Sequence, residues 1–212
     1  MSTSGGGVIN GVLYVLVIVA SVRLVHTPKR SSALPVAVAL WVVVAVPSIL
    51  QGFFPALLTD LRRDPPLINV DGQWWRVITS VLVQDGGFWG TLFNLVTLAI
   101  VGTAAVAIWG GTRTLIVFAV GQVLWGLFTT FVSPTVGAGN SGATLALAAS
   151  VAGLVALSAP PRRDAVVSFG VAIIGAVLVA LRDAHGIAVL LGMVIGAVLS
   201  VLWPPKSVLQ VR

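Results

Sequence analysis

Long runs of apolar residues, separated by short polar or glycine- and proline-containing stretches, make up most of this chain. Seven runs are long enough to form membrane helices, and they cover residues 8–25, 33–54, 88–109, 114–132, 141–158, 165–181 and 184–203. Each is close to the roughly 17–25 residues that cross a bilayer as an α-helix. The pattern therefore predicts an all-α fold, a polytopic membrane helix bundle with seven spans.

The longest interruption between runs covers residues 55–87 and contains charged residues, prolines and the cluster Trp74-Trp75-Arg76. It is too long for a tight connection, so a structured loop at the membrane surface is expected. Tryptophan and arginine favour the headgroup level of a bilayer. We therefore interpret the cluster as an interfacial anchor in preference to a part of a functional site.

The composition supports a membrane protein and narrows its chemistry. Hydrophobic residues make up 58% of the 212 residues, and the mean hydropathy is +1.07, which is far too apolar for a soluble domain. Cysteine is absent, which excludes disulfides and thiol catalysis. With two histidines and no glutamate, neither a metal nor another cofactor is expected.

Positive charges lie in alternate connections between the runs and predict the orientation of the chain. These connections carry Lys29, Arg30, Arg113, Arg162, Arg163, Lys206 and Arg212. The positive-inside rule places them in the cytoplasm, with the N-terminus outside and the C-terminus inside. The net charge of +6 is thus an orientation signal, and no nucleic-acid partner is expected because no basic stripe is interleaved with aromatic residues.

The first run has no positive charges before it and no small-residue cleavage site after it. It is therefore predicted to be an uncleaved span and not a signal peptide. Together with the simple charge pattern, the lack of a targeting peptide favours a multi-pass protein of the cell membrane, with a prokaryotic plasma membrane as the preferred location.

Three polar residues on three different helices are predicted to lie at similar depth. With the N-terminus outside, the runs that begin at residues 88, 141 and 184 all enter the bilayer from the outer side. Asn94 then lies about 9 Å along its helix, at 1.5 Å per residue, while Ser141 and His185 lie in the first turns of theirs. Because polar groups are costly in lipid, such convergence points to a functional site.

The tetrapeptide Gly139-Asn140-Ser141-Gly142 opens the fifth run and has the chemistry of a nucleophile at a helix entrance. Free backbone N–H groups and the helix dipole at such an entrance favour an oxyanion. A serine needs a base to become nucleophilic. His185 opens another run and can supply that base, whereas His26 follows the first run beside Lys29 and is expected to be solvated in a basic loop.

Small residues on two of these helices predict close packing. The Ser141 helix has one ladder and the His185 helix has another: Gly142, Ala146, Ala149 and Gly153, and Ala188, Gly192 and Gly196. Such ladders let backbones approach closely, although they are common in ordinary membrane-helix packing. Mid-span Gln122 is expected to hydrogen-bond to a neighbouring helix, and its partner is left open.

In order and spacing, these residues resemble the rhomboid intramembrane serine proteases over residues 33–203. The resemblance rests on Trp75-Arg76, Asn94, Gly102, Gly110, Gly139-x-Ser141-Gly142, Ala184-His185 and Gly192. It implies a six-helix core at 33–203, preceded by an extra N-terminal helix and basic loop at 1–32 and followed by a cytoplasmic tail at 204–212.

The resemblance implies an intramembrane endopeptidase that cleaves transmembrane segments of membrane-protein substrates with a Ser–His dyad. Ser141 would be the nucleophile, His185 the general base and acid, and Asn94 an oxyanion stabiliser beside the Ser141 N–H. Asp183 is not expected to contribute, because two residues along a helix rotate a side chain by about 200° away from His185.

Two departures from the family pattern keep other interpretations open. Gly90 stands where the family usually has a histidine, and Val106 stands where an acidic residue is frequent, although Gln84 or Asp85 could partly substitute in the site. One alternative is a catalytically weak or inactive rhomboid-like protein that binds transmembrane segments without cleaving them. Another treats Ser141 as a helix cap and His185 as an interfacial histidine.

Overall fold

The computed structural model describes residues 7–25, 32–158 and 160–205. Five residues that the sequence analysis singled out lie outside these described ranges: His26, Lys29, Arg30, Lys206 and Arg212.

Helices account for most of the described residues, which confirms the all-α prediction. In chain order they are α1 Gly7–Arg23, α2 Leu34–Leu50, α3 Ala56–Leu61, α4 Pro65–Asn69, α5 Arg76–Thr79, α6 Gly87–Leu127, α7 Ser141–Leu157, α8 Arg162–Ala180 and α9 His185–Leu202. A short 3₁₀ turn follows α5 and a π turn follows α6. An isolated β-bridge joins Arg63 and Gly137.

The apolar helices have the lengths that a membrane requires. Among the described residues, three helical segments are long and apolar enough to cross a bilayer: Gly87–Val132, Arg162–Ala180 and His185–Leu202. Three shorter apolar helices, α1, α2 and α7, each have 17 residues, at the lower end of the roughly 17–25 that span a bilayer. The helices coincide with the predicted apolar runs to within a few residues.

Helix α6 contains two of the predicted runs, which are divided at Gly110. The backbone of Gly110 is non-helical, with φ 72° and ψ 178°, a conformation that strains any residue with a side chain. Before this break, Trp109 donates a hydrogen bond to Ser150 well inside α7; after it, Trp125 packs on Gly142 at the start of α7. The chain therefore reverses at Gly110, and the two halves of α6 form an antiparallel hairpin.

Helix α7 is the centre of the bundle, because every residue from Gly142 to Leu154 is buried. Its main neighbour is α9, and their backbones touch where the sequence places glycines. A Cβ added to Gly192 would lie 2.2 Å from the Ala146 carbonyl oxygen, and one added to Gly196 would lie 1.9 Å from that of Ser150. The α9 ladder thus makes the close backbone contact that such ladders predict, and its partner is α7. Gly142 of the α7 ladder instead contacts the indole of Trp125.

The Trp-Trp-Arg cluster in the surface loop divides into two parts. Trp74 and Trp75 are each 53% exposed, consistent with side chains that contact a headgroup layer. Arg76 is only 6% exposed and donates hydrogen bonds to the backbone oxygens of Thr59 and Arg62. The guanidinium of Arg76 therefore binds carbonyl oxygens inside the loop, and only the two tryptophans present exposed side chains.

The α7–α9 contact gives a direct stability test. Replacing Gly196 by alanine puts a methyl group into the Ser150 carbonyl, so we expect the helices to be forced apart, at a cost of about 1–3 kcal/mol and a clearly lower unfolding temperature in detergent. Thermal unfolding followed by circular dichroism measures the effect. Gly170→Ala in α8 is the matched control, because a Cβ there meets nothing within 4 Å; equal losses for both variants would contradict the packing argument.

Candidate active site

Ser141 and His185 lie side by side at the entrances of two adjacent helices. Ser141 is the first residue of α7 and His185 is the first residue of α9. The Ser141 Oγ and the His185 Nε2 are 2.8 Å apart, which is hydrogen-bond distance for a nucleophile and its base. The backbone contact between α7 and α9 brings these two entrances together, since the helices run side by side from that end.

Aromatic rings hold the imidazole of His185, which is only 2% exposed. The ring of Tyr14 lies 4.8 Å from it and the ring of Trp125 lies 5.5 Å from it, centroid to centroid. The Trp125 indole N–H also points to the Ala184 carbonyl oxygen at 3.3 Å. The imidazole is thus fixed against rotation by packing as well as by hydrogen bonds.

Asp183 contacts His185 directly, so the expectation that it points away is wrong. Its Oδ1 lies 2.8 Å from the His185 Nδ1 and accepts the backbone N–H of the same residue at 2.9 Å. The expectation assumed that both residues belong to one helix, but α9 begins at His185. Asp183 lies in the preceding turn, where a side chain is free of the helical rotation.

That turn closes the C-terminus of α8 in the manner of a Schellman motif. Arg182 has φ 58°, the left-handed conformation usually taken by glycine, and its N–H bonds to the Val179 oxygen at 2.9 Å. The N–H of Asp183 bonds to the Leu178 oxygen at 2.9 Å. The end of α8 therefore sets the position of the Asp183 carboxylate.

The charge on Asp183 is well supported. Burial opposes ionisation, but hydrogen bonds from His185 and Tyr14 outweigh it and lower the pKa of this carboxyl to about 2. A carboxylate beside Nδ1 favours the imidazole tautomer with its proton on Nδ1. In that tautomer, Nε2 is the acceptor for the Ser141 hydroxyl.

The second oxygen of Asp183 is held by α1, a contribution that the sequence reasoning missed. Asn10 Nδ2 donates to Asp183 Oδ2 at 2.6 Å, and the Tyr14 hydroxyl donates to the same oxygen. The signal available in the sequence is spacing: Asn10 and Tyr14 are four residues apart, hence on one face of an otherwise apolar helix. Polar side chains in such a helix face the protein interior.

Asn94 belongs to a ring of three amide side chains beside Ser141. Asn94 Nδ2 donates to Gln84 Oε1 at 2.7 Å, and Gln84 Nε2 donates to Asn140 Oδ1 at 2.9 Å. Asn140 Nδ2 completes the ring by donating to the backbone carbonyl oxygen of Asn94 at 3.1 Å. Gly139 lies against this ring: a Cβ there would be 3.3 Å from Asn94 Nδ2 and 3.8 Å from Ser141 Oγ. The Asn94 amide and the Ser141 hydroxyl therefore flank the same glycine.

Gln84 and Asp85, which could substitute for residues of the family pattern, make different contacts. Gln84 is fully part of the amide ring, whereas Asp85 accepts the Ala138 N–H at 2.9 Å and so braces the loop before Ser141. Burial raises the pKa of Asp85, and the bond from Ala138 opposes that shift. A side chain at Gly90 would meet nothing within 4 Å, and Val106 is buried in the core.

Hydrogen bonds from α6 also support the loop that precedes Ser141. Gln122 donates to the backbone oxygen of Val77 at 2.8 Å and to Ser80 Oγ at 3.1 Å, so Val77 and Ser80 are the partners that the sequence left open. The Ser80 carbonyl accepts the Gly139 N–H at 2.8 Å. Gln122 thus supports the backbone immediately before the serine without touching the serine itself.

Arg63 ties the same loop to the ring that packs on His185. Its backbone pairs with Gly137 in both directions, at 2.9 and 3.1 Å, and its guanidinium lies 4.7 Å from the centre of a Trp125 ring. Burial lowers the pKa of Arg63 to about 10, and the nearby Asp85 opposes that shift. The cation is still charged at neutral pH and can bind the indole face.

Comparison with known families supplies the assignment. No curated protein matches this chain. The family model described as the Rhomboid domain matches residues 71–205, a range that contains Asn94, Ser141 and His185 but neither α1 nor α2. Because the match covers more than half of the 212 residues, the chain belongs to the rhomboid family.

Proposed function

We propose that this rhomboid-family protein is an intramembrane serine endopeptidase that cleaves transmembrane segments of membrane-protein substrates. The observation that carries the proposal is the 2.8 Å contact between the Ser141 hydroxyl and His185 Nε2 at two neighbouring helix entrances. A serine at a helix entrance needs no histidine for structural reasons, since a cap bonds to its own backbone. The pairing is the one required to activate a nucleophile.

The reaction follows the general scheme of acyl transfer. His185 Nε2 takes the proton from Ser141 Oγ as that oxygen attacks the scissile carbonyl carbon and forms a tetrahedral adduct. The adduct collapses when His185 returns the proton to the leaving amine, which leaves an acyl group on Ser141. Water, deprotonated by the same nitrogen, then attacks the ester, and its proton returns to Ser141 as the acid product departs.

The oxyanion of the adduct has two donors in this arrangement. The Ser141 N–H is one of the free donors of the first turn of α7. Asn94 is the other: its amide carries two N–H groups, and the bond to Gln84 uses one of them. Gln84, which is itself bonded to Asn140, holds the Asn94 side chain in place before substrate arrives, so little reorganisation is required.

The setting of this chemistry is the membrane. We infer seven spans, with α6 counted as two, an outer N-terminus and an inner C-terminus, in the plasma membrane of a prokaryote. The core is assigned to residues 33–203, with α1 as an added helix in front of it. The partners are then the lipid bilayer and substrate transmembrane segments.

One observation favours the alternative, a rhomboid-like protein that binds such segments without cleaving them. The family pattern usually has a histidine at the position of Gly90, where this structure offers only open space. An oxyanion site without that group has one donor fewer. Reactivity of Ser141 distinguishes the two functions, because only the protease requires an activated nucleophile.

Labelling with a serine-reactive fluorophosphonate tests the protease proposal. We expect the purified protein in detergent to be labelled, and Ser141→Ala and His185→Ala to reduce labelling to background, because one removes the nucleophile and the other its base. Ser158→Ala, which removes a hydroxyl at the far end of α7, is the matched control and keeps the wild-type rate. A folded protein that is not labelled would refute the protease and favour the binding function.

The role of Asn94 is tested by the same probe, because the phosphoryl oxygen of the adduct occupies the oxyanion position. Asn94→Ala is expected to lower the second-order rate constant of labelling by about 10²–10³-fold. Thr91→Ala, one turn earlier on α6 and exposed, is expected to leave it unchanged. An Asn94→Ala protein that is folded and labelled at the wild-type rate would remove Asn94 from the oxyanion site.

A further inference from the structure

The N-terminal helix α1 contacts the candidate active site although it lies outside the residues that match the family. Asn10 and Tyr14 are separated from Asp183 by 173 and 169 positions in the chain, and both donate to the same carboxylate oxygen. The Tyr14 hydroxyl also lies 3.1 Å from His185 Nδ1. These contacts join the first helix to the turn that precedes α9.

The carboxylate of Asp183 needs these donors. It is 1% exposed, and a buried charge is tolerated only when its oxygens are hydrogen-bonded. Oδ1 is served by the backbone N–H and the imidazole of His185. Oδ2 receives its hydrogen bonds from α1, so without this helix half of the carboxylate would lose those partners.

One face of α1 is built for this position. Its buried residues are Asn10, Tyr14, Val17, Ile18 and Ser21, which recur at the three- and four-residue spacing of a single helical face. Val17 is fully buried, and this face packs mainly on α7 and α8. Val17 and Ile18 are the apolar residues of this face, and Asn10 and Tyr14 lie at the end of the helix that contacts Asp183.

The contacts have a defined use in the proposed reaction. When Nε2 of His185 takes the serine proton, the imidazole becomes a cation and the Asp183 carboxylate stabilises it. The proton on Nδ1 stays there, and Tyr14 keeps its own. Two donors from α1 hold the carboxylate in the plane it needs, while the ring of Tyr14 packs 4.8 Å from the imidazole.

We propose that α1 completes the site, with Asp183 as the orienting carboxylate of a Ser141–His185–Asp183 triad and with Tyr14 and Asn10 as positioning residues that hold it. The inference rests on the proposed protease function. It makes the helix in front of the family domain a working part of the site and not a membrane anchor alone.

Labelling rates measured across pH test this inference. Asp183→Asn is expected to slow fluorophosphonate labelling by about 10²-fold or more, because it removes the carboxylate charge beside His185. Tyr14→Phe is expected to slow it by about tenfold, because it removes a hydrogen bond to that charged carboxylate. The pH at which the rate is half-maximal should fall in Asp183→Asn, because the protonated imidazole loses the negative charge that stabilises it. Ser21→Ala is the matched control: it removes a buried α1 hydroxyl that has no hydrogen-bond partner among the residues that the structure describes, and it should leave rate and profile unchanged.

A double variant separates positioning from general damage. If Tyr14 acts through Asp183, the effect of Tyr14→Phe should largely disappear when Asp183→Asn is already present, because the carboxylate it holds is gone. Independent, multiplying effects of the two substitutions would contradict the proposed connection. Circular dichroism and thermal unfolding establish that each variant is folded.

Nitrogen-15 NMR of histidine-labelled protein gives a readout that needs no activity. The chain has two histidines, so the imidazole spectrum is simple, and His185→Ala identifies the signal of interest. The Nδ1 proton of His185 should resonate far downfield in the wild type, lose that position in Asp183→Asn and move measurably in Tyr14→Phe.

The outcomes separate this inference from the protease function. Labelling that needs Ser141 but is unaffected by Tyr14→Phe and Asp183→Asn would overturn the role of α1 and leave the protease intact. Faster labelling of Tyr14→Phe would also overturn it, since α1 would then obstruct the site. If the wild type is not labelled at all, the protease function fails, and the NMR signal alone decides: an Nδ1 proton indifferent to both variants would refute the α1 contact.

Discussion

The rest of the structure depends on the backbone contact between α7 and α9. Glycines at 192 and 196 remove the side chains that would keep the two helices apart, and carbonyl groups of α7 fill the space. In a membrane there is little hydrophobic force between helices, so such close van der Waals packing has to hold them. Because α7 begins with Ser141 and α9 begins with His185, their packing also fixes the distance between serine and histidine.

Around that pair, buried polar groups are arranged in two separate networks. On one side, three amides form a ring that holds Asn94 beside Gly139 and Ser141. On the other side, Asp183 and α1 hold the far nitrogen of the imidazole. An unpaired polar group inside an apolar bundle costs free energy. This explains why most polar atoms of the two networks have hydrogen-bond partners.

Much of this could be predicted from the sequence, because hydropathy averaged over a whole span is a strong signal and charge parity then sets depth. The apolar runs and the charges of the connections predict that Asn94, Ser141 and His185 lie at similar depth, and the structure brings Ser141 and His185 within hydrogen-bond distance. The prediction that Asp183 points away from His185 is wrong because it assumes that both residues lie on one helix, whereas α9 begins at His185. Helix boundaries inferred from a sequence are uncertain by a residue or two. Tyr14 was missed because hydropathy does not say which helices are neighbours; that depends on contacts across nearly the whole chain.

The attachment of α1 to the remainder of the chain has an energetic consequence. Only residues 24–33 connect it to α2, and at about 3.3–3.6 Å per residue the end of α1 can never lie more than roughly 35 Å from the start of α2. A short tether of this kind gives an effective concentration of about a millimolar. A contact too weak to bind a separate helix is therefore strong enough, within one chain, to keep Asn10 and Tyr14 hydrogen-bonded to Asp183.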